Sequence, residues 1–200
     1  ATSHGGHLEV FTDRATCDFH DGVNLRLHPQ SGAIPARHQL LLTFEDGSAL
    51  SASVQMYGGL YCWPRDEEFD YSYLNVAREK PSPLDTTLFS EAWFLQLLAD
   101  PDVQKLSAKA ALATNQRIPG LGNGVLQDIL WNARLSPRRK INTLSAQELH
   151  DLYISLTTTL AEMSRLLNDP SRRERLLGAE GAAKCYDCHG THDILPPSNP

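Results

Sequence analysis

The chain is poor in cysteine, methionine and lysine. Four cysteines in 200 residues, with only Cys185 and Cys188 close together, are too few and too scattered for a disulfide scaffold. Cys17 and Cys62 stand alone in apolar, strand-like surroundings and read as small core residues of a protein in a reducing compartment. No apolar run approaches the roughly 18 residues that a membrane span requires. Residues Ala1 to Gly6 lack the basic and apolar regions of a signal peptide. No segment repeats, and no Gly-Lys-Ser/Thr ends a glycine-rich loop, so a nucleotide P-loop is excluded.

What is present is a globular composition, 41% hydrophobic and 21% charged. The net charge of −6 argues at first sight against a polyanionic partner. Its distribution reverses that inference. Residues 1–100 hold 6 basic and 14 acidic side chains, residues 101–200 hold 12 and 10. Between Val103 and Lys140 stand Lys105, Lys109, Arg117, Arg134, Arg138, Arg139 and Lys140, with Asp128 the one acid.

Residues 7–63 read as strands. Leu8, Val10 and Phe11 mark one, Val23, Leu25 and Leu27 another, His38–Phe44 a third, Ala49–Met56 a fourth and Leu60–Trp63 a fifth. Asp46-Gly47 is a hairpin turn, since both residues tolerate positive φ. Short turns with no intervening helix predict an antiparallel sheet or half a sandwich. Residues 64–85 read as a connector, acidic at first and broken by Lys80-Pro-Ser-Pro83. Helical spacing begins at Asp85, with Leu88, Trp93, Leu97 and Leu98, and with Asp85, Thr86 or Thr87 as cap. Asp100-Pro101 ends that helix. Ser107 caps a short helix over Ala108–Ala113, a further helix runs from about Val125 to Ala133, and Ser145 with Glu148 forms a capping box. Leu149, Leu152, Leu156, Leu160 and Met163 then build one apolar stripe. The last 30 residues are weakly periodic and read as a loose tail. The expected architecture is α+β: a partial antiparallel β-sandwich over residues 1–84, a helical domain over 85–168, and a tail over 169–200.

Pro119-Gly-Leu-Gly-Asn-Gly124 carries the chemical information. Gly120, Gly122 and Gly124 allow a sharp turn and close approach to a ligand, and Asn123 can cap the next helix. A helix N-terminus presents free N–H groups and partial positive charge, which suits a phosphate. Lys109, Arg117 and the Arg138-Arg-Lys140 cluster surround it in sequence. A tight turn between helices with no ligand is the plain alternative.

Lys109, Pro119-Gly-Leu-Gly-Asn123, Asp128, Leu130 and Ser136-Pro137 resemble the helix–two-turn–helix signature of the formamidopyrimidine-DNA glycosylase/endonuclease VIII family. The resemblance covers roughly residues 5–181. His38, the Asp46-Gly47 hairpin and Gln55-Met-Tyr-Gly58 look like a divergent endonuclease VIII branch. The resemblance implies base-excision repair by a DNA N-glycosylase with AP lyase activity, acting on damaged double-stranded DNA as a monomer in a bacterial cytoplasm, at the nucleoid. It implies a flipped lesion, attack of an N-terminal proline amine on the sugar C1′, a Schiff base, and elimination assisted by the neighbouring glutamate. Lys109, Arg117, Gly122, Asn123 and Arg138 would serve DNA binding. Gln55, Met56 and Tyr57 would form the loop that fills the gap left by the flipped base, although strand-end packing is the alternative for Met56 and Tyr57.

The chain departs from the family pattern in three ways. The opening Pro-Glu is absent, and Ala1 aligns inside the β-rich domain, so the chain reads as N-terminally truncated with no catalytic residue of its own. A sandwich cut in this way is expected to leave an unpaired edge and poor solubility. The family's β-domain lysine would fall near Gly5-Gly6, where no lysine stands. Of the family's zinc finger a single pair remains, Cys185 and Cys188, followed by His189 and His192. Adjacent Cys188 and His189 would strain a tetrahedral site, so an eroded finger without metal is expected, and no other cofactor. Cys-x-x-Cys-His is also the haem c string, with nothing else in support. The alternatives are a non-catalytic DNA-binding remnant of the family, and a helix–hairpin–helix module, which would leave the β-rich half unexplained.

Overall fold

Two antiparallel sheets and a set of helices make up the computed structural model, which describes residues 1–30, 32–55 and 57–169. The chain divides into two units, Ala1–Arg78 and a second beginning at Glu79. The division precedes Pro81 and Pro83, whereas the sequence pattern placed it at residues 84 and 85.

In the first unit, β1 (Thr2–His4), β2 (His7–Phe11), β3 (Ala15–His20) and β7 (Gly59–Pro64) form a four-stranded sheet in the order β1-β2-β3-β7. A three-stranded sheet has the order β4 (Val23–His28), β6 (Ala49–Val54), β5 (Leu40–Thr43). Leu8, Val10, Cys17, Phe19 and Leu60 of the first sheet share one apolar cluster with Val23, Leu25, Leu40 and Ala52 of the second, which makes the pair a sandwich. The β5–β6 hairpin turns at Asp46-Gly47 as expected. Gly47 sits at φ +79°, and the Asp46 carboxylate accepts from the Ser48 N–H at 2.9 Å.

Three expectations for this unit need correction. β1 and β3 were not read as strands, because polar residues interrupt their alternation: Asp18 and His20 lie buried or half-buried on β3. The supposed connector contains a helix, α1 (Ser72–Glu79), which buries Leu74 and Ala77 at i, i+3 spacing. Cys17 and Cys62 are not lone core residues. The β3–β7 register sets them directly opposite, with Cα atoms 4.3 Å apart, and a disulfide joins them.

The second unit is helical: α2 (Glu91–Ala99), α3 (Pro101–Gln104), α4 (Ala108–Ala113), α5 (Asn123–Asn132) and α6 (Ala146–Asn168), with a 3₁₀ turn over Ile141–Thr143. α2 starts later than its periodicity suggests. Ser90 is its cap, accepting from the Trp93 N–H at 3.2 Å, while Asp85 only closes a turn by accepting from Thr87. Asp100 closes α2 and caps α3, and Pro101 at the first helical position needs no N–H partner. The capping box of α6 is present in full: Ser145 Oγ accepts from the Glu148 N–H and Glu148 accepts from the Ser145 N–H. Behind it Leu152 and Leu156 are fully buried, and Leu149 and Leu160 pack at the margin of the same core. That core gathers Phe94 and Leu98 of α2, Leu112 of α4, and Leu126 and Ile129 of α5. Tyr153 of α6 donates its hydroxyl to the Phe89 carbonyl at 3.0 Å. No helix of the described residues is long and apolar enough to cross a membrane.

Candidate nucleic-acid interface

α4 and α5 begin very differently, although both lie in the basic band. The first N–H groups of α4 are all engaged. Ala108 donates to the Arg139 carbonyl at 2.7 Å, Lys109 to the Pro137 carbonyl at 3.1 Å, and Ala110 to Ser107 Oγ at 3.3 Å. The segment after α5 thus closes the start of α4, leaving the Lys109 side chain exposed.

The start of α5 is open. Gly122 occupies the cap position with φ −76° and ψ 154° and supplies no side-chain hydrogen bond. This corrects the expectation for Asn123, which is the first helical residue rather than the cap, and is exposed. Among the three glycines of the turn, only Gly120 requires its lack of a side chain for conformation, at φ +78°. A Cβ on Gly122 or Gly124 would meet nothing within 4 Å. Protein packing therefore does not demand glycine at these two positions. The absent side chains leave the first N–H groups of a ten-residue helix open to an approaching ligand.

The link between α4 and α5 is shaped in part by Arg117, a residue expected to bind the ligand itself. Asn115 and Gln116 both adopt left-handed backbone, at φ 56° and 45°. Lys80 donates to the Gln116 carbonyl at 2.6 Å. Burial, and then the nearby Arg117 charge, lower the Lys80 pKa, with Glu79 opposing. Arg117 Nη1 donates to the carbonyls of Ala110 (3.3 Å) and Thr114 (3.2 Å) and to Thr114 Oγ1 (2.9 Å). Its guanidinium closes the C-terminal end of α4, where the helix dipole favours a cation. Arg139 donates to the Thr143 carbonyl and pairs with Glu148 at 3.0 Å. Arg138 is exposed and has no such tie among the described residues. The signal for these structural duties was present: both arginines sit three to nine residues from the groups they bind.

In the first unit, Gln55 and Tyr57 lie in the turn between β6 and β7. Met56 is outside the described residues. The Gln55 N–H donates to the Gly22 carbonyl at 2.7 Å, and Gly58 donates back to the Gln55 carbonyl at 2.9 Å. Gly58 packs so closely on Gly22 that a Cβ there would lie 2.7 Å from its carbonyl oxygen. Tyr57 is 87% exposed, at φ 66°. It is not strand-end packing; a bulky residue held in left-handed backbone with its ring in solvent is a feature of functional loops. Cys185, Cys188, His189 and His192 lie outside the described residues. Among the described residues, no three His, Cys, Asp or Glu side chains are grouped to hold a metal ion.

No family model matches the chain. It is 26% identical over 137 residues to a formamidopyrimidine-DNA glycosylase of Bacillus cereus, covering 68% of this chain and 48% of that protein. It is 36% identical over 86 residues to the enzyme of the same name from Thermomicrobium roseum, covering 43% and 28%. The chain spans about half the length of the curated relatives it matches, such as the first of these. Among solved structures, it is similar in fold to Lactococcus lactis Fpg complexed with DNA containing an abasic site (TM-score 0.67, 23% identity, 84% of this chain and 62% of that one). It is also similar to wild-type Lactococcus lactis Fpg (MutM) complexed with DNA containing an oxidised pyrimidine (TM-score 0.68, 22% identity, 94% and 72%).

Proposed function

We propose that this chain is a member of the formamidopyrimidine-DNA glycosylase/endonuclease VIII family and binds damaged duplex DNA as part of a base-excision repair N-glycosylase with AP lyase activity. The observation that carries the reading is the open start of α5, with Gly122 and Gly124 leaving free space over unpartnered N–H groups. A phosphate accepts from these groups and is favoured by the helix dipole. Lys109, held by its backbone and free at its ammonium, neutralises a second phosphate, and Asn123 and Arg138 add exposed donors beside them. Such contacts position the duplex without reading its sequence.

The loop Gln55, Met56 and Tyr57 fills the gap when a damaged base is extruded, with the exposed Tyr57 ring leading. Extrusion costs a few kcal/mol of stacking and pairing, and an inserted aromatic ring restores part of it. In this reading the residues present bind and shape DNA. No bond-breaking role is assigned to any of them.

Fluorescence anisotropy with a duplex carrying an abasic-site analogue tests the proposal. Binding should be tighter to this duplex than to an intact one of the same sequence, and should weaken linearly in log Kd against log salt. Absence of binding to either duplex at low salt overturns it.

A further inference from the structure

The outer face of the three-stranded sheet bears a hollow that the helical site does not account for. β4 and β6 pair with Asn24 opposite Ser53 and Arg26 opposite Ser51, so these four side chains share one face. Their neighbours Ala52 and Leu25 pack in the sandwich core, with Leu25 also bordering the hollow beside Pro35. The connection from β4 to β5 folds Arg37 over the polar face, and the turn after β6 adds Gln55. Together they line a hollow of about 360 Å³.

Its lining contains two arginines and no carboxylate, in a unit whose charge is otherwise dominated by acids. Two other arginines of the unit are engaged: Arg78 pairs with Glu9, and Arg65 donates to the Thr12 carbonyl at 2.8 Å; Arg14, in the β2–β3 turn, is exposed. Arg26 and Arg37 are exposed and have no hydrogen bond or ion pair among the described residues. Ser51 is fixed by a 2.8 Å hydrogen bond with His28 Nε2, so one wall of the hollow is rigid. Two guanidinium forks with hydroxyl and amide donors between them match the oxygens of a phosphate, and a single anion neutralises their mutual repulsion.

We propose that this hollow is a phosphate site that holds a phosphodiester of the DNA backbone next to the Gln55–Tyr57 loop. The proposal rests on the DNA-binding reading above and deepens it. Gln55 belongs to both the hollow and the loop, so a strand held here is tethered two residues along the chain from Tyr57, the ring that fills the gap.

The test uses the full chain, with Arg26→Gln, Arg37→Gln and the double variant measured against duplex DNA over a salt series, beside Lys109→Ala. Loss of the one phosphate contact that the two arginines share should lower the slope of log Kobs against log salt by about 0.9 and weaken binding at low salt by roughly tenfold. The unfolding midpoint should not move, since both side chains are exposed. Unchanged affinity and slope in the double variant, with both lowered in Lys109→Ala, overturns this site and leaves the DNA-binding reading standing. Failure of the unsubstituted chain to bind any duplex overturns both. Inorganic phosphate is titrated separately while the arginine side-chain resonances are followed by NMR. If it shifts those of Arg26 and Arg37 and the DNA slope does not respond to their removal, the hollow binds free phosphate and the assignment to DNA falls.

Discussion

The backbone N–H of Lys109 donates to the carbonyl of Pro137 at 3.1 Å, so the residue is anchored by its main chain while its side chain is exposed. Lys109→Ala should therefore be silent in stability, within about 0.5 kcal/mol by denaturant unfolding. It should reduce the salt slope of DNA binding by about 0.9, one phosphate contact. An unchanged slope would show that its charge meets no phosphate.

Gly122→Ala separates a structural glycine from a functional one. The backbone there is extended, at φ −76° and ψ 154°, and the new methyl group enters open space. The unfolding free energy should change by less than about 1 kcal/mol, as for other cap substitutions. DNA affinity should fall clearly, because the methyl group stands where a phosphate would approach the α5 N–H groups. Full affinity in this variant would remove the main support for the site.

Gly59→Ala is the opposite case. A Cβ at this position would lie 1.8 Å from His20 Nε2, whose ring lies across the strand. The ring is enclosed by His7 and Tyr71 and stacks on Tyr61 at 5.7 Å. The substitution should cost about 1–3 kcal/mol, as overpacking does. His20→Ala in the same chain should recover part of that loss, giving a non-additive cycle in chemical unfolding. Additive effects would mean that the two positions do not collide.

Stability should depend on pH through His20. Its Nε2 is buried without a hydrogen-bond partner among the described residues. Burial first, then the neighbouring His7, lower its pKa, against the opposing effect of Asp18 and Asp21. The folded chain thus resists protonation more than the unfolded chain does. The associated stability is complete above the ordinary histidine value of about 6.5 and is lost as pH falls from there through the lowered value. Thermal unfolding at about pH 7.5 and 5.5, a window in which ordinary carboxylates stay ionised, should show a drop that His20→Gln reduces. An equal drop in the variant would assign the effect to another group.

Much of this could be read along the chain because the signals are local. Ser107 and Ser145 announce their helices through bonds that span three residues, and Asp46-Gly47 announces its hairpin through its own backbone. The spacing from Lys109 to Asn123 and Pro137 carried the family resemblance. Contacts between distant residues were not legible. Glu9 and Asp18 are buried on β2 and β3, where their charge argues against a strand. The Arg78 guanidinium on α1, 69 residues from Glu9, with His4 Nε2 at 3.7 Å, and the His7 imidazole at 2.9 Å from Asp18 make their burial tolerable.

The sequence alone determined that an acidic β-rich segment precedes a basic helical one, and that a glycine-rich turn opens a helix within the basic band. These follow from periodicity and turn chemistry, which act over a few residues. The tertiary structure decided which charges face outward. It set Arg117 and Arg139 on helix ends, left Lys109 and Arg138 exposed, joined Cys17 to Cys62, and brought Arg26 and Arg37 to one hollow. The physical reason is that a cation's availability depends on the acceptors around it, and the fold supplies those acceptors.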